Sequence, residues 1–510
     1  MELELERTEL SGYETVLNTT LFQEETMEMI VPDACPDILR ILDTEGWVEL
    51  KSREASEGHA AVSGTIRACV LYLPDGEEGI RRLDVSIPFS GGVDGARLNH
   101  RCSLVSLGRI EGAETRALNP RKVLVRVGIA VELQGYAPLE EAVCSSVHAE
   151  SKTGVEQLCE TCHTYGVVCV QEKPFQFSDE VTLPGSKPQA AELLKQRVTV
   201  VCTESKVIGN KLIFKGNVNL QVLYRSVDHQ ICDSLFELPF SQIMEVSGGG
   251  EEADCTLEIM ATEVQCSLES GEDGRIIHVA LELLAQAVLR AERSVAVLCD
   301  LYSTSYLLEA DRCTHSMEHL IDRSVKTPAL REVVECGESI DNILDAYLSV
   351  GRMAQNREGE RLVLEAEVRA TILYRTEGGE SGSVSRVFSV PCSLELPDGC
   401  SCTCVCRCPE PVFATPTAGG IEVRFAVEFR YMALRNEPIT GISAARLDPD
   451  SPRDRDHQPS IVLRMVGRGE RLWDIAKCYG TTMAEICRAN ALEEEQAPGG
   501  QLLLIPRKRA

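Results

Sequence analysis

Aromatic residues are scarce in this 510-residue chain, 5% of the total with two tryptophans, so its cores have to be built from aliphatic side chains and cysteine. No run approaches the roughly 18 consecutive apolar residues that a transmembrane helix needs, so no membrane insertion is expected. The opening Met1-Glu-Leu-Glu-Leu-Glu-Arg7 is charged at once and offers no apolar signal-peptide core, which leads to an expected cytoplasmic location. A Gly-rich phosphate loop, a His-Glu zinc pair and a nucleophile elbow are all missing. The nine histidines are scattered, and His315 and His319, at helical spacing, lack a third metal ligand. The expectation is a protein with no catalytic residues, no cofactor and no metal. Positive charge is in deficit as well: the net charge of −28 argues against a nucleic-acid partner.

That charge is uneven. From Ser460 onward there are eight Lys or Arg against six Asp or Glu, so the tail carries +2 and the rest −30. The imbalance reads either as solubility with local variation or as a tail that meets an acidic partner. The 22 cysteines fit a reducing compartment, where a thiol inside an apolar run is a small hydrophobe. Cys159-Glu-Thr-Cys162-His163 matches a haem-attachment pattern but reads as chance in a cysteine-rich stretch. In Cys400-Ser-Cys-Thr-Cys-Val-Cys-Arg-Cys408 a strand would place five thiols on one face, with sulfurs roughly 7 Å apart. Packing of an apolar strand is the simplest account; metal binding and oxidative cross-linking are the alternatives.

Internal repetition organises the rest. Gly64-Thr-Ile-Arg-Ala-Cys-Val-Leu-Tyr72 returns as Gly216-Asn-Val-Asn-Leu-Gln-Val-Leu-Tyr224 and as Ala366-Glu-Val-Arg-Ala-Thr-Ile-Leu-Tyr374, so the tyrosines lie 152 and 150 residues apart. An apolar-Pro step follows each, at Pro88, Pro239 and Pro391. Upstream, Pro32 and Pro36 stand as far before Tyr72 as Pro184 and Pro188 do before Tyr224. The runs Asp37–Leu42 and Gln189–Leu194 look helical, with proline suited to the first turn; the third copy has Ser339–Asp345 instead. Period-2 alternation in Ile66–Tyr72, Lys122–Leu133, Gln196–Thr203, Val218–Tyr224 and Ile421–Tyr431 predicts strands. Ala280–Ala291 is ambiguous, and its alignment with Val123–Leu133 favours strand. The expected fold is mainly β: three tandem sandwich-like modules at 1–148, 179–300 and 301–446, a connector at 149–178, a flexible linker at 447–459 and a small βααβ domain at 460–507.

In that tail, Ile461–Val466 reads as a strand and Leu472–Tyr479 as a helix ended by Gly480. Thr482 is an N-cap, with Glu485 three residues on, for a second helix to Asn490, and Pro498–Pro506 is a turn and closing strand. Leu472, Ile475 and Ala476 make the buried stripe. Trp473 falls off it and is expected to be partly exposed, either as a rim over its own small core or as a binding anchor, exposed Trp being enriched at interaction hot spots.

The tail resembles the LysM family on Val466-x-x-Gly469, Leu472-Trp473-x-Ile475-Ala476, Tyr479-Gly480, Ile486, Ala489-Asn490, Pro498-Gly499 and Leu503-x-Ile505-Pro506. The resemblance implies a groove for N-acetylglucosamine-containing glycans between the first turn and the loop before the last strand. Glu470-Arg471, in place of the family's Asp-Thr, and the acids Glu493–Glu495 depart from that pattern. The repeats resemble the SPOCS family, on the Leu-Tyr and apolar-Pro-Phe steps and on Asn119-Pro-Arg-Lys122. SPOCS modules followed by LysM are the order found in spore-coat assembly proteins of clostridia. This implies a scaffold made in the mother-cell cytoplasm that reaches the forespore surface by binding a coat-basement morphogenetic ATPase through LysM. Peptidoglycan or chitin-type glycan binding is the alternative. The partner-binding residues so implied are Ile461, Gly469, Glu470, Arg471, Trp473, Pro498 and Gly499.

Overall fold

The computed structural model describes residues 1–248, 250, 252–269, 274–453, 459–492 and 499–507. Three repeats share one strand plan. The first holds β1 (Glu4–Ile30), β2 (Ile38–Ser56), β3 (His59–Pro74), β4 (Arg81–Asp94), β5 (Ser103–Asn119) and β6 (Lys122–His148). The second holds β7 (Val155–Thr182), β8 (Ala190–Ile208), β9 (Lys211–Ser226), β10 (Ile231–Glu245), β11 (Asp254–Leu268) and β12 (Ile276–Ser303). In the third, breaks split the long strands into β13 (Tyr306–Lys326), β14 (Ala329–Val334), β18 (Cys400–Arg407), β19 (Phe413–Thr417), β20 (Gly420–Ala426) and β21 (Glu428–Pro452), around β15 (Ile340–Glu358), β16 (Arg361–Thr376) and β17 (Ser381–Glu395).

In every repeat the second to fourth strands form one antiparallel sheet (β2-β3-β4, β8-β9-β10, β15-β16-β17), and the first strand pairs along its length with the last. Each repeat packs these layers over its own aliphatic core, as a mainly β sandwich does. The first two repeats join where Tyr13 of β1 pairs with Val167 of β7.

The motif residues have separable jobs. Tyr72, Tyr224 and Tyr374 are buried, and each ties down the turn before its sheet. Tyr72 donates to the Pro36 carbonyl (3.3 Å) and Tyr224 to that of Pro188 (3.1 Å). Tyr374 reaches the carboxylate of Glu338 instead (3.4 Å), the residue that stands where the other copies have the proline. Pro88, Pro239 and Pro391 lie on the edge strands β4, β10 and β17, where a missing N–H breaks no ladder.

Several expectations are corrected. Asp37–Leu42, Gln189–Leu194 and Ser339–Asp345 are not helical; they lead into or start strands β2, β8 and β15. Paired register shifts explain the false signal, at Ile38/Arg40 and Ile41/Asp43, at Ala190/Glu192 and Leu193/Lys195, and at Ile340/Asn342 and Ile343/Asp345. Each bulge inserts a residue, so apolar side chains recur at three- and four-residue spacing, which imitates a helix. The stretch 149–178 is not a connector: after one 3₁₀ turn (Ser151–Thr153) it is β7, paired with β12 over its whole length. Nor is 447–452 a linker. Leu447 is buried, pairs with Leu308 and donates its N–H to the Met1 carbonyl. Residues 454–458 of that segment lie outside the described residues. Cys400–Arg407 is strand, with Cys402, Cys404, Cys406 and Cys408 packed on the third core, as apolar packing requires.

The three central sheets converge. One buried cluster joins Leu42, Leu194 and Leu344 with Leu71, Leu223 and Leu373, corresponding residues of the three copies. Beside these leucines stand Asp43, Lys195 and Asp345, all buried. Lys195 Nζ meets the carboxylates of Asp43, Glu45 (2.8 Å) and Asp345 (3.1 Å). Arg197 binds Glu45 through two nitrogens (2.6 and 2.7 Å) and reaches Asp345 (3.2 Å). Tyr347 donates to Asp43 (3.0 Å) and lies under both cations. Burial would raise the Asp345 carboxyl, but the charges of Arg197 and Lys195 outweigh it and pull the group down to about 2.

Candidate functional site

The C-terminal domain is built from β22 (Ile461–Met465), α1 (Leu472–Tyr479), α2 (Met483–Asn490) and β23 (Leu502–Pro506), the expected βααβ order. Leu472, Ile475 and Ala476 are buried with Val466, Ile486, Leu503 and Ile505. Gly480 ends α1 in the left-handed conformation (φ 62°), which glycine adopts at no steric cost. Thr482 caps α2 by accepting the Glu485 N–H (3.1 Å). Asn490 closes the fold by donating to the carbonyls of Ile486 (2.8 Å) and Leu504 (2.7 Å), while its own oxygen accepts the Leu504 N–H (2.7 Å).

Trp473 is not exposed. It is 3% accessible and points away from the domain's own stripe, onto β12 of the second repeat. Its indole N–H donates to Asp300 (2.8 Å), and its ring meets Tyr302 edge-on with centroids 4.9 Å apart. Lys477, one turn on along the same face, grips both oxygens of Asp300 (2.7 Å each). Arg312 adds a further bond to that carboxylate (2.8 Å), and Tyr302 donates to the Thr481 carbonyl (2.8 Å). Burial would raise the Asp300 carboxyl, yet hydrogen bonds from Lys477 and Trp473 and the charges of Lys477 and Arg312 hold it below its ordinary value. Besides the apolar stripe that α1 turns to its own core, the helix has a second contacting side, Trp473 with Lys477, which is covered from outside its domain. Asp300 and Tyr302 carry no local signal, lying 173 and 179 residues before their partners Trp473 and Thr481.

The other implied residues separate into groups. Ile461 is 58% exposed and shares a sheet face with Leu463 (64%), Met465 (66%) and Leu502 (56%). Alternation puts this row on the side of the two-stranded sheet opposite Leu503 and Ile505. Gly469 sits in the first turn at φ +76°, where a side chain would be strained. Glu470 is turned inward: it accepts the Gly467 N–H (2.9 Å) and pairs with Arg464, so its acid stabilises the turn. Arg471 pairs with Asp474 (3.0 Å) and faces Glu160 of β7 (3.9 Å). Gly499 brings the two loops together, since a Cβ there would stand 3.3 Å from the Arg468 Cα. Pro498 and the acids Glu493–Glu495 lie outside the described residues. The groove mouth at 467–469 and 499–500 is solvent-exposed. Beside that contact lies a cleft of about 570 Å³, lined among others by Glu160, Asp300, Arg312, Arg471, Asp474 and Lys477.

Among the described residues, no helix is long and apolar enough to cross a membrane. Comparison with known proteins finds matches to two family models. The SipL, SPOCS domain model matches residues 37–111 and 189–269, and the LysM domain model matches residues 465–506. No curated protein and no solved structure matches the chain. The first two segments fall in the first and second repeats, from the bulged strand through the fifth, and the last spans β22 to β23. The chain therefore carries the SipL-type SPOCS domain in its first two repeats and a LysM domain at its C-terminal end.

Proposed function

We propose that this protein is a non-enzymatic scaffold of spore-envelope assembly, made in the mother-cell cytoplasm and carried to the forespore surface, and that its LysM domain captures a protein partner. The carrying observation is the row Ile461, Leu463, Met465 and Leu502, four large apolar side chains left in water on one face of a small sheet. Burying each is worth about 1.5–3 kcal/mol, so a docking partner gains substantially there. Arg464 and Arg507 turn to the other face, against Tyr479, so the charge that favours an acidic partner is that of the tail as a whole, positive where the rest of the chain is negative. An acidic, apolar-faced protein fits that combination, and the coat-basement morphogenetic ATPase implied by the family resemblance is the partner proposed. Trp473 leaves the set of direct contacts and becomes the residue that fixes how the domain is presented.

The test is capture of that ATPase by the full chain and by Leu463→Asp/Met465→Asp. Both side chains are exposed, so folding should survive while capture falls at least about tenfold, the effect of losing roughly 1.4 kcal/mol. Undiminished capture would refute the reading. A glycan role remains the second reading because the groove mouth at 467–469 and 499–500 is open. Calorimetric titration with chitin oligomers separates the two: saturable heat that survives the double substitution favours glycan.

A further inference from the structure

At the seam between the first and third repeats, three side chains form a relay that neither the scaffold role nor the LysM domain uses. Cys313 and His315 lie two residues apart on β13 and so share a face. Cys313 Sγ is 3.2 Å from His315 Nε2, and His315 Nδ1 is hydrogen-bonded to the Glu141 carboxylate of β6. His315 is 5% accessible, whereas Cys313 is only half-buried. Gly441 on β21 makes the room: a Cβ there would stand 3.3 and 3.4 Å from the imidazole and 3.1 Å from Val297 of β12.

A buried His–Glu pair alone would be a structural bridge. Here the second imidazole nitrogen meets a solvent-reachable thiol, which is the order nucleophile, base, orienting carboxylate. The Glu141 bond sets the tautomer, with the proton on Nδ1 and the Nε2 lone pair aimed at the thiol. Burial pushes the Cys313 thiol up, with Cys144 and Glu141 adding to the rise and Arg7 of β1 opposing it. At rest, then, the proton stays on sulfur, and reaction requires His315 to accept it.

We propose that Cys313 is a modification site for small peroxides, with His315 as proton acceptor and Glu141 as its positioning residue. Sγ attacks one peroxide oxygen, forming the S–O bond as the O–O bond breaks. The thiol proton passes to His315 Nε2 and on to the departing hydroxide, giving water. Sulfur gives up two electrons, the peroxide takes them, and the product is a sulfenic acid.

The experiment treats the full chain with substoichiometric hydrogen peroxide and dimedone, and in parallel with iodoacetamide, reading each cysteine by peptide mass spectrometry from pH 6 to 9. Cys159 and Cys478, both exposed, are the internal standards. The expected result is that Cys313 reacts at least about tenfold faster than either at pH 7, a lower bound on the roughly 10²–10⁴-fold that a positioned base supplies. His315→Asn should remove that advantage, and Glu141→Gln should move the pH profile of Cys313 while leaving Cys478 unchanged. A wild-type Cys313 no faster than Cys478, or a Glu141→Gln profile identical to wild type, would overturn the proposal. The wild-type ratio decides even where a variant fails to fold.

Discussion

Two buried ionic sites hold distant parts of this chain together, and they do so differently. At the hub, Lys195 and Arg197 of the second repeat are enclosed by Asp43 and Glu45 of the first and Asp345 of the third. At the LysM contact, Asp300 of the second repeat receives Trp473 and Lys477 from a domain with its own core, beside an open cleft. The hub cannot open without separating three sheets. The LysM contact can open while both sides remain folded. The hub therefore belongs to the folding of the repeats, and the contact governs only where LysM is held.

The hub also sets the order of the repeats. Asp43, Lys195 and Asp345 are corresponding residues, 152 and 150 apart, so only the middle copy supplies the cation. Three copies of the first repeat would bring six carboxylates together, three from Asp43 and three from Glu45, with no cation between them, which burial strongly disfavours.

Lys195→Met breaks the comparison most sharply. It leaves Asp43 and Asp345 buried with one fewer counter-charge, and the expected loss is about 3–5 kcal/mol, read as a lowered denaturation midpoint of the repeats. Adding Asp43→Leu and Asp345→Leu should return much of it, since apolar replacement of a buried ion triad is often neutral and the two-nitrogen Arg197–Glu45 pair is left intact. No recovery would mean that the charges themselves hold the sheets together.

Asp300→Ala sharpens the other side. It strands the indole N–H and the Lys477 ammonium, a loss of about 1.5–3 kcal/mol for hydrogen bonds to a charged group. The cost falls on the contact between domains. In a Trp47→Phe background, Trp473 is the sole tryptophan, and its emission should shift to the red as Tyr302 and Trp473 become wetted. The denaturation midpoint of the repeats should hardly move. An unchanged emission would show that Tyr302 packing alone secures the domain.

How much of this the sequence disclosed depends on distance along the chain. The LysM fold was legible because its signals are local: a Gly at the helix end, a Thr cap, an apolar stripe. The repeats were legible through the Leu-Tyr pairs, whose leucines prove to line the hub and whose tyrosines tie down turns. The bulged strands were misread as helices because an inserted residue erases the period-2 pattern. Trp473 was misread because periodicity within one helix identifies the face toward its own core and says nothing of a face covered by a strand 173 residues earlier. The hub was open to discovery, since alignment on the tyrosines sets Lys195 between two aspartates; the cue was a change of charge at a position beside conserved-in-kind leucines of the same three copies.

The smallest expected effect is a pH dependence, and its sign is fixed by Asp300. Its carboxyl is held below the ordinary value, so the contact's contribution is fully present above the ordinary value of 3.8 and is lost as pH falls through the lower, docked value. From pH 8 to 5, emission of Trp473 in the Trp47→Phe background should stay constant. In acid it should shift to the red, and the hub should outlast it, because Asp345 is buried and pulled down to about 2. Asp300→Asn supplies the control: it keeps an acceptor for the indole but has no proton to gain, so its emission should show no step above the acid unfolding of the whole chain. A step of equal size in Asp300→Asn would assign the transition to another carboxylate and leave the contact without a titrating group.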